Sequence, residues 1–227
     1  MATVYSSTND GWCQQGLNTP WEDCRGGAGN GHDNNNTRDA TAVFMLGTSR
    51  GGNSWGIRRV FMDFNTSSIS TTVSSATLKI YGYINVDADV IVVRSEHGAS
   101  LAAGDFNSLP SAAVTALGNS DGSGAGTFAG ISNLTYSAEI ATWSGSGYND
   151  ISLNATARAD MESLSTFKIC IMEYDYDYLD IVAPIPSSLD AGMYFSEDTS
   201  GSKDPYIDYT AAAAAVTDNA TFFGANF

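Results

Sequence analysis

The residues best suited to chemistry lie in one short segment, 173–178, where acidic residues alternate with Tyr174, Tyr176 and Tyr178. In an extended strand the carboxylates would line one face and the tyrosines the other. Exposed tyrosines make stacking platforms and interface anchors. Glycoside hydrolysis also uses paired carboxylates, but that pair faces across a cleft and not along one strand face. The pattern predicts a contact surface for a glycan or a neighbouring subunit. The alternative is an edge strand whose acids prevent further pairing.

A second motif, residues 47–51 with the sequence Gly-Thr-Ser-Arg-Gly, matches the pattern around a hydrolase nucleophile. That nucleophile needs a strand, a sharp turn and then a helix. The following residues, Gly52, Asn53 and Ser54, do not favour a helix. The chain has only two histidines, His32 and His97, both in segments typical of loops. We therefore expect no catalytic residues and a protein that is not an enzyme.

Metal binding has weak support in the sequence. Oxygen-rich stretches at 33–39 and 119–123 offer carboxylate and amide ligands, and calcium takes six to eight oxygen ligands. Neither stretch has EF-hand spacing, since Phe44 stands where the bidentate glutamate belongs. Asx-rich loops are more often turns. We expect no cofactor. Calcium is the one ion for which these loops offer suitable ligands.

The cysteines are few. Cys13 and Cys24 lie close enough in sequence to staple an N-terminal loop through a disulfide, or they remain thiols. Cys170 lies in an apolar run and is predicted to be a small core residue. One bridge and one buried thiol do not make the disulfide framework of a small secreted domain.

The composition excludes several kinds of partner. The chain has 227 residues and a formal net charge of −15, whereas phosphate binding needs clustered Lys and Arg. We therefore expect no nucleic acid partner. No apolar stretch is long enough to span a bilayer, so no membrane insertion is expected. The start lacks the basic and apolar regions of a signal peptide, so we expect synthesis in a cytoplasm.

Hydrophobic alternation at period two predicts an all-β protein, an antiparallel jelly-roll β-sandwich with one or two short helices and an extended C-terminal tail. Short helices are expected near 111–117 and after Asn154, a favourable N-cap. The predicted organisation is a loop-rich segment 1–39, a β-sandwich domain 40–210 and a tail 211–227. Strands are predicted at 40–46, 57–64, 76–84, 90–94, 134–140, 148–153, 167–172, 193–196 and 206–209.

The tail carries Phe222, Phe223 and Phe227. Aromatic side chains are costly to leave in water, and disordered segments contain few of them. We therefore predict that the tail is an anchor, which docks either on its own domain or on a partner.

Three patches of sequence occur in an order that resembles a known family. They are RVFMDFN at 59–65 followed by VSSATLKIY at 73–81, then NDISL at 149–153, and finally MYFSED at 193–198 with PYIDY at 205–209. Together they resemble DNRLRE-type modules, which are jelly-roll β-sandwiches related in architecture to carbohydrate-binding modules. The resemblance covers residues 40–209.

The resemblance carries an expectation about function. Such modules occur in large secreted bacterial proteins and in viral and phage structural proteins, where they are adhesive or structural. It implies a non-enzymatic virion surface protein: a capsid decoration, cement or fibre component of a phage-like particle. Its partners would be other virion proteins or copies of itself, at the virion surface after synthesis in the host cytoplasm. The alternative is a carbohydrate-binding adhesin module that contacts a host surface glycan.

Overall fold

The computed structural model describes residues 1–49, 52–117, 126–197 and 200–212, without the side chains of 17–19 and 41. Three α-helices are present in these ranges: α1 (Trp21–Gly26), α2 (Ser111–Ala116) and α3 (Ala155–Ser163). A 3₁₀ turn spans Ala103–Asn107 and a π-helical turn spans Tyr174–Tyr178. The strands are β1 (Ala2–Tyr5), β2 (Gly11–Thr19), β3 (Gly31–Asp33), β4 (Arg38–Thr48), β5 (Ser54–Asn65), β6 (Val73–Val86), β7 (Val90–Arg94), β8 (Tyr148–Ser152), β9 (Thr166–Glu173), β10 (Ser187–Tyr194) and β11 (Tyr206–Ala211).

The strands form two packed layers. Every pairing between adjacent strands is antiparallel. The smaller sheet has the order β1-β11-β6-β8, and the larger one contains β10, β4, β5, β2 and β3, with β9 and β7 beside β5. Strand β6 belongs to both, because its first part pairs with β11 and β8 and its end pairs with β10. The predicted all-β sandwich with short helices is confirmed.

The core lies between the sheets, with a second apolar layer outside the larger one. On β5, Val60, Met62 and Phe64 point into the cluster between the sheets, whereas Ile57 and Phe61 point into the outer cluster. The 3₁₀ turn, α1 and α2 contribute the covering side of the outer cluster. This explains why β5, β7 and β9 have long apolar runs: both of their faces are buried.

The prediction of a loop-rich segment 1–39 is wrong. Strand β2 pairs with β5 on one side and with β3 on the other, and β1 pairs with β11. Gly11 of β2 is required by close packing. A Cβ at this position would lie 2.1 Å from the Asp33 carbonyl oxygen. Segment 1–39 is therefore part of the sandwich.

The prediction of a strand at 134–140 is also wrong. The structure has only isolated bridges there, Val93 to Thr135 and Val90 to Ile140. The cause is a side chain that replaces a backbone partner. The Val92 N–H donates to the Ser137 hydroxyl at 3.0 Å, and a hydroxyl used in this way interrupts a regular ladder.

Cys13 and Cys24 are not joined in a disulfide, which corrects that alternative. Both are buried, reduced thiols. The Cys13 Sγ lies 3.1 Å from the Ala102 carbonyl, and the Cys24 Sγ lies 3.8 Å from the Gln15 carbonyl. Burial raises the pKa of Cys13 to about 12. Cys170 is buried in the core, as predicted.

Within the described ranges, no helix combines the length and the apolar character that crossing a membrane requires.

Candidate functional site

The predicted tyrosine platform at 173–178 is not an extended strand. Its residues form the π-helical turn, in which Tyr174 and Tyr176 are half-buried and Tyr178 is only 5% exposed. The rings of Tyr174 and Tyr178 stack on each other at 5.4 Å with an interplanar angle of 15°. All three tyrosines pack against the outer apolar cluster. The segment therefore lacks the open row of rings that the alternation predicted.

The acids of this segment explain its shape. The buried Glu173 carboxylate accepts hydrogen bonds from the backbone N–H groups of Asp175, Tyr176 and Asp177, which caps the turn. Burial raises the pKa of Glu173 to about 7. Asp177 points inward to Arg59, and both side chains have no exposure. Glu173 and Asp177 thus have structural roles at this point of the fold.

The predicted anchor residues Phe222, Phe223 and Phe227 lie outside the described residues.

A different set of tyrosines lies together on the outer face of the sandwich. We call this set the tyrosine stripe. Consecutive ring centroids are 5.2 to 6.0 Å apart, and most neighbouring rings meet edge to face. In order along the surface, its members are Tyr5, Tyr206, Tyr148, Tyr81, Tyr194 and Tyr83.

Strand register brings these rings together. Tyr81 and Tyr83 alternate along β6 with side chains that enter the core, so they face outward. Tyr148 of β8 lies directly opposite Tyr81, and Tyr5 of β1 lies opposite Tyr206 of β11. The stripe therefore crosses β1, β11, β8, β6 and β10, strands from both ends of the sequence.

Two cations hold one end of the stripe. The Arg38 guanidinium lies 4.0 Å from the Tyr83 ring centroid, and the Lys203 ammonium lies 4.1 Å from that of Tyr194. Both donate to the Tyr194 hydroxyl oxygen, at 2.7 and 3.0 Å. The hydrogen bond from Lys203, together with that from Arg38, lowers the pKa of Tyr194. Tyr5 and Tyr83 are the most exposed members, at 56% and 37%.

A buried Ser-His-Asp group, which the sequence did not predict, lies near the end of β5. The Ser95 hydroxyl is 2.8 Å from His97 Nδ1, and His97 Nε2 is 3.8 Å from Asp63. Burial favours a higher pKa for Asp63, but the neighbouring His97, Ser7 and Asn9 side chains outweigh it and lower the pKa to about 2. Ser95 is 5% exposed and His97 is fully buried, so no substrate reaches the hydroxyl in this arrangement.

The described residues on either side of positions 50 and 51 do not form the strand–turn–helix arrangement of a nucleophile turn. Gly47 and Thr48 end β4, and the chain continues into β5, an adjacent antiparallel strand and not a helix. In the described part of the chain, no three His, Cys, Asp or Glu side chains are close enough to hold a metal ion.

Comparison with known families and with curated proteins gives no match for this chain. The resemblance to DNRLRE-type modules therefore stays a prediction.

Proposed function

We propose that this protein is a carbohydrate-binding module and that the tyrosine stripe is its binding face. The observation that carries the proposal is the row of rings itself: six tyrosines from five strands, spaced 5.2 to 6.0 Å apart. Tyr194 is buried, and the other five are partly or largely exposed. A long, regular row suits an extended polymer better than a single small molecule.

The chemistry of the stripe matches that of a sugar chain. One face of a sugar ring consists of C–H groups, which pack on aromatic rings, while its hydroxyls need hydrogen-bond partners. Phenol hydroxyls, Arg38 and Lys203 supply donors along the stripe. Acceptors are available at Asp150, which pairs with Lys79, and at Asp208, which accepts from Thr3.

The surroundings favour binding without catalysis. Asp208 on β11 and Asp150 on β8 lie on the two strands that flank β6 in one sheet. A glycosidase needs two carboxyl groups on opposite sides of the scissile bond.

The competing interpretation of the tyrosine stripe is purely structural, since cross-strand aromatic pairs stabilise sheets without any ligand.

The virion surface role remains a prediction beside this proposal. It depends on the anchor at 211–227, most of which lies outside the described residues. The two roles are compatible, because a particle-bound module can contact host glycans.

Affinity electrophoresis through gels that contain single polysaccharides tests the proposal. The wild-type chain should be retarded by at least one of them, and Tyr5→Ala and Tyr83→Ala should each weaken binding about tenfold, or ~1.4 kcal/mol. Tyr176→Ala is the matched control, because this tyrosine lies outside the stripe. Equal retardation of all four chains would rule out the stripe as the binding face.

A further inference from the structure

We infer that a groove in the larger sheet is a second binding site, for a single neutral sugar ring. The groove has a volume of about 330 Å³, at the small end of the range for ligand pockets. Its walls come from β2, β4 and β5, and it includes Gln14, Phe44, Leu46, Gly56 and Arg58. None of these residues belongs to the tyrosine stripe.

The groove follows from strand register. Gln14 and Phe44 lie on either side of Arg58, and Leu46 lies beside Gly56. Since Gly56 has no side chain, the surface is hollow between Leu46 and the neighbouring strand. An apolar wall of Phe44 and Leu46 thus faces a polar wall of Gln14 and Arg58.

The polar wall is fixed in place before any ligand arrives. The Arg58 guanidinium lies 3.8 Å from the Trp12 ring centroid and donates to Gln14 Oε1 at 2.9 Å. It also pairs with Asp39 at 3.5 Å, and Asp39 accepts from the Trp12 indole N–H at 2.7 Å. Side chains held in this way lose little freedom on binding, which favours affinity.

The charges around the groove decide the class of ligand. Three carboxylates, Asp39, Asp190 and Asp33, act on the one guanidinium of Arg58. This local excess of negative charge opposes an anionic ligand. It does not oppose a neutral ligand that carries hydroxyl groups.

The two walls of the groove point to the same class. The ring carbons of a sugar pack on Phe44 and Leu46, while its hydroxyl groups face the Gln14 and Arg58 side chains.

The test is a titration of the full chain, followed by ¹H–¹⁵N NMR, with glucose, galactose, mannose and N-acetylglucosamine, and with glucuronate as the anionic comparator. We expect at least one neutral sugar to bind, with shifts centred on Gln14, Phe44 and Arg58. Phe44→Ala and Arg58→Gln should each weaken that binding at least tenfold. The Val182→Ala variant, changed at an exposed apolar residue elsewhere, should bind as the wild type does.

Binding by none of the neutral sugars would overturn the site, and so would binding that survives both groove variants. Preference for glucuronate would overturn the neutral class. The amide spectra of the variants report folding directly. Polysaccharide retention is measured separately, so failure of the groove and failure of the stripe are observed with different ligands.

Discussion

Arg59 and Asp177 form a doubly hydrogen-bonded ion pair in which neither side chain is exposed to solvent. Arg59 Nε donates to one carboxylate oxygen and Nη2 to the other, both at 2.7 Å. The same guanidinium donates to the Phe106 carbonyl, the Asn107 side chain and the Arg25 carbonyl. One arginine of β5 thereby connects the larger sheet to α1, the 3₁₀ turn and the π-helical turn.

Asp177→Asn should therefore destabilise the fold severely. Removing one partner leaves the Arg59 charge buried without its counterion, which costs about 3–5 kcal/mol. Urea unfolding measures the loss. Asp175→Asn is the control, because this half-exposed acid lies in the same turn, and its effect should be within about 0.5 kcal/mol. Equal stability of the two variants would contradict the role of the pair.

Stability should fall as the pH rises from 5 to 8. Burial raises the pKa of Asp10 from 3.8 to about 7, and that of Glu173 from 4.5 to about 7. At pH values between the unfolded-state pKa and the folded-state pKa, the folded protein holds protons that the unfolded chain has released. The stabilisation from these bound protons is therefore complete at low pH and is lost as the pH rises through about 7. Thermal unfolding across this range measures the loss, which should amount to a few kcal/mol.

Asp10→Asn provides the control for this pH dependence. Asp10 accepts hydrogen bonds from Ser6, from the Ser196 hydroxyl and from the Ser196 N–H. The amide oxygen of asparagine can still accept hydrogen bonds but cannot titrate, so the slope between pH 5 and 8 should become shallower. An unchanged slope would show that Asp10 does not hold a proton in the folded state.

The three cysteines should behave as protected thiols. All three are buried, and burial raises the pKa of Cys13 and of Cys170, so little thiolate is available to react. A thiol reagent should label the native chain slowly and should label three thiols per chain after unfolding without reductant. Detection of a single thiol would indicate a disulfide between two of the cysteines.

Much of the fold is readable from the sequence where residue types give a clear local signal. Val90–Arg94 was predicted from its β-branched run and is β7 in the structure. Asn154 was predicted as an N-cap, and its side chain accepts the Ala157 N–H at 3.0 Å. Strand β2 was missed, because Gly11 serves close backbone packing instead of a turn.

The tyrosine stripe was harder to predict from the sequence than the fold. Tyr81 and Tyr83 lie two residues apart in a predicted strand, a spacing that places both on one face, and the structure has them there. Their neighbours Tyr148 and Tyr206 are set by pairings between strands distant in sequence, and no local pattern reveals that register. The prediction of an extended strand at 173–178 was wrong, because the Glu173 carboxylate accepts backbone hydrogen bonds and caps a π-helical turn there.

Binding along the tyrosine stripe is tested by the affinity of the chain for oligosaccharides of increasing length, cut from a polysaccharide that it retains. A ligand that lies along the stripe should bind more tightly as it lengthens, until it spans from Tyr83 to Tyr5. Tyr5→Ala should remove only the gain that the longest chains provide, since this ring lies at one end of the stripe. Affinity that is independent of length and unaffected by Tyr5→Ala would contradict binding along the tyrosine stripe.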